Sequence, residues 1–298
     1  TRYRRSKHTS APDRLLIVPR TGHAATQMNE ASAIRRILET LEVPGDGVLQ
    51  VHASFRGLSQ MGWRPDATCE ALVDFMRDGT LLMPAMSWSI VTPQHPVFDA
   101  RSTPCQTGVL SETFRTDFAS HRSLHPTHSV CGIGRRADEL LSGHALDGTP
   151  CGNGSPYGII NGDDTPNEVF VLLIGAGFEC CTAIHRPEEV VSPDIYLQPT
   201  ECSEDYRLID LSGREIKFSL RRHARRVRDF QQYGHILNAQ GALRLSAISD
   251  VGFIATDMRH LMNVVFDRLS KDKYAHFPRW AYGLGIEDQS GSCRPIGT

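Results

Sequence analysis

One stretch, EVFVLLIGAG at 168–177, limits the architectures open to this chain more than any other. A strand with one wet face alternates apolar and polar residues, whereas this run is apolar throughout and ends at Gly175-Ala176-Gly177, so it reads as a strand buried on both faces. Both faces of a sheet are covered when helices pack above and below it, which predicts an α/β fold with a central mixed sheet flanked by helices. Other segments fit. Ile34, Ile37, Leu38 and Leu41 recur at helical spacing after Met28, and VLQVHASF at 48–55 reads as a buried strand. Asp66–Met76 reads as a helix, TLLMPAM at 80–86 as a strand, VLSETFRTDF at 109–118 as a helix and SVCGIG at 129–134 as a strand. Beyond residue 200, YRLIDLSGREIKFSL at 206–220 reads as a hairpin turning at Ser212-Gly213. A basic helical stretch is expected at 221–233 and an amphipathic helix over 257–271 with Leu261, Val264, Val265 and Leu269 inward.

Charge excludes more than it assigns. Lys plus Arg number 32 against 34 Asp plus Glu, a net charge of -2 over 298 residues, so no global field draws the chain to nucleic acid or an anionic membrane. No run of about 18 apolar residues is present and TRYRRSKHTSAP lacks the apolar core of a signal peptide, so a cytoplasmic protein is expected. Eight cysteines without a C-x-x-C pair argue against a disulfide scaffold and a structural zinc site, and most are expected to be buried thiols. Residues 1–27 read as a basic arm, 28–280 as one domain and 281–298 as a frayed tail.

The chemistry concentrates where the buried strand turns into a helix, VLLIGAGFECCTAIHRPEE at 171–189. Thr182 is placed to cap that helix, with His185 in its first turn at the carboxyl edge of the sheet, where open α/β folds bind ligands. Glu188 and Glu189 follow at three and four residues, close enough to hold the imidazole and raise its basicity. General base and surface histidine beside an acid both satisfy this spacing. The glycines do not form G-x-G-x-x-G, so no dinucleotide fingerprint is read here.

Three further clusters stand out. HRSLHPTHS at 121–129 holds His121, His125 and His128, but Pro126 breaks any helix that would align them on a metal, and no metal site is expected; His125 and Ser129 are better placed to hydrogen-bond at the mouth of the next strand. VHASF at 51–55 ends a strand with His52 and Ser54. STPCQTGVLSETF at 102–114 opens a helix at Thr107-Gly108 with Ser111 in its first turn, a seat for a phosphate or a thioester oxygen or an ordinary cap. Adjacent Cys180 and Cys181 read as packing thiols rather than a nucleophile.

Taken in order, VHASFRGLSQMGW (51–63), GTLLMPAMSW (79–88), FDARSTPCQTGVLSETFRT (98–116), RSLHPTHSVCGIG (122–134), GSPYGII (154–160) and VLLIGAGFECCTAIHRPEE (171–189) resemble the aminoglycoside 3-N-acetyltransferases. The resemblance spans about 30–190 and continues weakly to about 270. It implies the antibiotic N-acetyltransferase-like fold, distinct from the small GNAT-type fold, and an acetyl-CoA-dependent N-acetyltransferase without a metal, in which an amine attacks the thioester directly. The family's T-S-L-H-L-A-E block is matched by TAIHRPE, which puts the expected base on His185 and the trailing glutamate on Glu188; the acid six residues before the histidine is matched by Glu179. By the same carry-over the coenzyme contacts are His52, Ala53, Ser54, Thr107, Gly108, Val109, Ser111, Arg122, Ser123 and His125. Backbone N–H groups near Ala53-Ser54 or Gly108 are expected to face the developing oxyanion.

The resemblance weakens where an acceptor would bind. Polycationic aminoglycosides call for acidic walls, yet SWSIVTPQHPVF at 87–98 has no acid before Asp99, and SLRRHARRVRDF at 219–230 is rich in arginine. Trp88, Asp99, Arg222 and Arg225 are the expected acceptor contacts. The acceptor is expected to be a primary amine of a small natural product or antibiotic; the alternative is a biosynthetic acyltransferase whose amine carries phosphate, phosphonate or carboxylate, which arginine suits. A solvated basic face or a homodimer contact accounts for the arginines equally well.

Overall fold

The apolar run at 169–174 lies beside the equally apolar run at 48–53, and this parallel pair is the middle of the sheet. In the computed structural model, residues 29–162, 168–224 and 226–281 are described. The strands are β1 (Val48–Ala53), β2 (Thr80–Pro84), β3 (Val97–Asp99), β4 (His121–Arg122), β5 (Val130–Gly134), β6 (Val169–Ile174), β7 (Glu204–Ile209), β8 (Glu215–Leu220), β9 (Arg244–Ile248) and β10 (Val251–Asp257). Seven form a mixed sheet in the order β4-β5-β2-β1-β6-β10-β9, and β3-β7-β8 form a second, smaller one. β1 runs parallel to both β2 and β6, while β5 and β10 join antiparallel on either side.

All six residues of β6 are buried, and its alternation divides the apolar core in two. Leu172 and Ile174 face the helices Glu30–Thr40 and Pro65–Phe75, packing with Ile34, Leu38 and Leu72. Val171 and Leu173 face the helix Met258–Lys271 through Leu261 and Val265. Asn29 and Asp257 start their helices by accepting the N–H groups of Ser32 and His260, each three residues on. The small sheet closes its own core of Phe98, Tyr206, Leu208, Phe218 and Leu220. The expected hairpin is present, with Gly213 at φ +88 in its turn.

Several local expectations are corrected. The helix expected over 109–118 is an α-turn at Val109–Thr113 followed by a π-helical turn at Phe114–Phe118. The described part of the arginine-rich stretch is not helical before Gln231; residues 221–224 and 226–230 run as irregular chain tied down by side-chain bonds to the interior. Val264, expected inward, packs against the core while half-buried. The basic arm at 1–27 and almost all of the tail at 281–298 lie outside the described residues. Among the described residues no helix is long and apolar enough to cross a membrane.

At the carboxyl ends of β1 and β6 the chain must turn sharply. Gly175 takes φ +57, and a Cβ there would stand 2.8 Å from the Ser54 carbonyl oxygen, so only glycine lets the two strand ends lie this close. The Ser54 N–H donates to the Ile174 carbonyl at 2.8 Å and locks the pair.

Candidate active site

From Gly175 the chain passes through 3₁₀ turns at Phe178–Cys180 and Thr182–Ile184 into a helix at His185–Val191. Thr182 does not cap this helix, because the second turn intervenes and the cap position falls on Ile184. His185 is therefore the first residue of the helix, and Glu188 is one turn ahead on the same face. The His185 Nδ1 lies 2.7 Å from Glu188 Oε2. A carboxylate can only accept, so Nδ1 carries the proton and Nε2 is left as an acceptor. Burial drives the His185 pKa down to about 4 against the opposing pull of Glu188, so the ring is neutral at neutral pH.

Glu188 is fully buried and is the hub of the site. It accepts Arg228 Nε at 2.8 Å and 3.0 Å and His276 Nδ1 at 2.6 Å in addition to His185. Burial opposes its ionisation, but His185 and Arg228 outweigh burial and hold the carboxyl well below the usual carboxylate range. Tyr233 closes the network, its hydroxyl 2.5 Å from His276 Nε2. Glu188 thus fixes the orientation and the tautomer of His185.

The neighbouring Glu189 binds a second imidazole. His223 Nε2 lies 2.7 Å from Glu189 Oε1, which also accepts the Cys151 N–H at 2.9 Å. The centroids of the His223 and His185 rings lie 4.4 Å apart with a 30° tilt, and His128 meets His223 edge-on at 5.2 Å. Cys151, Glu189 and His223 each bring a donor atom within 4.8 Å of the others. Hydrogen bonds use these atoms: the Cys151 thiol points to the Thr182 carbonyl, and burial pushes its pKa well up.

Of these side chains His128, His185, His223 and Arg228 line a cavity of about 910 Å³, together with His52, Ala53, Ser54, Thr107, Gly108, Val109, Ser111 and Trp88. Seven of the ten expected coenzyme contacts and one of the four expected acceptor contacts are therefore brought together with His185. The other three coenzyme contacts are not on this cavity. Arg122 is buried and donates to the carbonyls of Ala85, Ala100 and Thr103; Ser123 bonds His144 Nδ1; His125 Nδ1 accepts the N–H groups of Thr127 and His128. All three are buried, and protein groups hold Arg122 and Ser123, whereas His125 Nε2 is buried without a partner.

Of the acceptor contacts, Asp99 accepts the N–H of Arg101 in a turn and Arg222 is buried against Glu204 at 2.6 Å, both away from the cavity. Arg225 lies outside the described residues. Glu179 is on the cavity wall but does not hold His185; it accepts the Gly177 N–H and a Gln231 side-chain bond. Ser54 N–H is taken by Ile174, which leaves the helix start at Gly108 as the candidate oxyanion contact. Cys181 is a buried packing thiol, pushed up to about 12, whereas Cys180 is exposed on the cavity rather than packed, with its thiol raised by partial burial and Glu179. Sequence reasoning did not assign Arg228, His276, Tyr233, His128 and His223 to the site; His128 in HRSLHPTHS and His223 and Arg228 in SLRRHARRVRDF were the visible signals.

The chain has counterparts among known proteins. Residues 50–270, well over half of the chain, match the family model described as aminoglycoside 3-N-acetyltransferase. The SPbeta prophage-derived aminoglycoside N(3')-acetyltransferase-like protein YokD of Bacillus subtilis is 28% identical over 194 residues, 57% of this chain and 65% of that protein. Aminoglycoside N(3)-acetyltransferase III of Pseudomonas aeruginosa is 30% identical over 174 residues, 50% of this chain and 60% of that protein. The matched region thus spans less than two thirds of either relative. A solved structure of AAC-IIIb in binary complex with CoASH superposes with a TM-score of 0.66 at 21% identity, covering 81% of this chain and 96% of that one, and shows the shared fold. The chain belongs to the aminoglycoside 3-N-acetyltransferase family.

Proposed function

We propose that this protein is an acetyl-CoA-dependent N-acetyltransferase acting on a primary amine of a small molecule, with His185 as general base. The observation that carries the reading is His185 on the cavity wall, paired with Glu188: Nδ1–H is committed to a buried carboxylate and Nε2 is left to take a proton. A neutral imidazole is what the step requires, because the attacking amine sheds a proton as its nitrogen bonds the thioester carbon. Glu188, kept ionised by Arg228, stabilises the imidazolium that forms. The cavity's size suits a pantetheine arm with an acceptor beside it, and Ser54, Thr107, Gly108 and Ser111 supply polar groups along its lining. The coenzyme site of the AAC-IIIb complex and the names of the curated relatives support acetyl-CoA and an aminoglycoside as the first substrates to test.

The cavity wall favours a second reading of the acceptor. Arg56, Arg228 and four imidazoles stand there against a single carboxylate on the wall itself, Glu179. A polycation gains little from that lining, whereas an amine carrying phosphate, phosphonate or carboxylate meets Arg56 directly. Release of free thiol from acetyl-CoA, followed with an aminoglycoside panel and an anionic-amine panel, separates the two. Turnover confined to the cationic panel removes the anionic reading. His185→Gln is expected to lower kcat by at least about a hundredfold, and a wild-type rate in that variant would remove the mechanism.

A further inference from the structure

We propose that His223, held by Glu189, is a second catalytic residue of this site: the general acid that protonates the departing coenzyme sulfur while His185 takes the proton of the amine. The proposal rests on the transferase reading above and on three observations independent of the family match. First, consecutive glutamates of one helix each hold an imidazole of the cavity lining at 2.7 Å, so two of the histidines on the cavity are paired with a carboxylate. Second, both rings line the same cavity, 4.4 Å apart. Third, Glu189 is nearly buried and its Oε1 holds the His223 ring beside the Cys151 N–H, which places an acidic group where it offsets a proton on that ring.

The two roles follow from where the protons lie. His223 Nε2–H points at Glu189, and Nδ1 has no partner among the described residues; in the doubly protonated ring Nδ1–H is the group available to a ligand. As the N–C bond forms, the amine proton passes to His185 Nε2 and the carbonyl electrons move onto oxygen. As the oxyanion collapses, the C–S bond breaks and sulfur takes the proton from His223 Nδ1. The products are amide and free thiol, with His185 protonated and His223 neutral. One positive charge occupies the pair of rings before and after, so the two never face each other as cations. Cavity water then returns both rings to their starting states.

The experiment compares two acyl donors. Acetyl-CoA releases a basic thiolate that needs a proton; S-acetyl 5-thio-2-nitrobenzoate releases an acidic aryl thiol that needs none. His223→Gln is expected to lower kcat with acetyl-CoA by about a hundredfold and with the aryl thioester by less than about tenfold, with KM for the amine little changed. His185→Gln is expected to lower both alike. Glu189→Gln, which keeps the ring in place, is expected to fall between wild type and His223→Gln with acetyl-CoA and near wild type with the aryl donor. Equal losses with both donors in His223→Gln overturn the proposal, as does a wild-type rate with acetyl-CoA. A wild-type rate abolished by a chelator makes His223 a metal ligand beside Cys151 and overturns it too. If the wild-type protein consumes neither donor with any amine, the transferase reading itself fails.

Discussion

Glu188 and Arg228, 40 positions apart, meet at 2.8 Å inside the protein, and this contact ties the arginine-rich stretch to the histidine of the cavity. Both side chains are almost wholly removed from water, so the pair persists because each charge has the other and further hydrogen bonds besides. Arg228 also donates to the carbonyls of Ala224 and Arg226, which pins an otherwise irregular segment against the helix that carries His185.

Removing one member leaves the other charge buried alone. Glu188→Gln is expected to destabilise the fold by about 3–5 kcal/mol and to lower kcat about a hundredfold, since Gln can accept from Nδ1–H but brings no charge to the imidazolium. Denaturant unfolding and thiol-release kinetics read the two effects separately. A variant as stable as wild type would show that the Arg228 contact is not formed in solution.

Arg122 gives a complementary test, because resemblance assigns it to the coenzyme and its surroundings assign it to the fold. Its guanidinium donates to Ala85 at 3.0 Å, to Thr103 at 2.5 Å and to Ser129 Oγ at 3.1 Å, and lies over the Phe98 ring. Arg122→Met strands buried carbonyls and is expected to cost about 3 kcal/mol of stability, with KM for acetyl-CoA unchanged in the protein that remains folded. A raised KM at unchanged melting temperature would restore the coenzyme contact.

What could be read in the sequence was local. The apolar runs at 48–55 and 169–174 announced the buried parallel strands, and the one-turn spacing of His185 and Glu188 announced a bond that the structure contains, though Glu189 satisfied the spacing equally. What chose between them was the far end of each carboxylate: Arg228 and His276 reach Glu188, whereas His223 and the Cys151 N–H reach Glu189. Those partners come from segments 34 to 88 positions away, beyond any helical or strand period. The arginine run was misread as a helix for the same reason. Its charge pattern suits a wet helix face, and nothing local shows that Arg222 and Arg228 are buried against Glu204 and Glu188.

Gly108 lines the cavity with His185 and takes φ +112, a region that side-chain-bearing residues rarely enter. Space is not the obstacle, since a Cβ there meets nothing nearer than the Ala53 carbonyl at 3.7 Å. The strain is in the backbone, so Gly108→Ala is expected to cost about 1–3 kcal/mol and, by turning the helix start away from the cavity, to raise KM for acetyl-CoA. Unchanged stability and KM would mean that this turn is not part of the coenzyme wall.

Acid sensitivity follows from histidines buried in the neutral form. His52 and His144 are each held at about 4 by burial, against an ordinary value of 6.5. The His144 tautomer is fixed: Nε2–H donates to the Pro150 carbonyl at 3.0 Å, while Nδ1 takes the Ser123 hydroxyl, whose oxygen already accepts the Val130 N–H. A second ring proton would force the Ser123 hydroxyl to give up its bond to Nδ1 and turn its own proton elsewhere. Below pH 6.5 the unfolded chain therefore binds protons that the folded one refuses, and stability falls as pH drops from about 6.5 to about 4. Each of the two rings contributes on the order of 3 kcal/mol across that window. Chemical denaturation at pH 7.5, 6.0 and 5.0 is expected to show a steep loss, and His144→Gln a shallower one by about one proton, even where the variant is less stable at pH 7.5. An identical slope in His144→Gln would mean that the buried ring already carries its second proton in the folded protein.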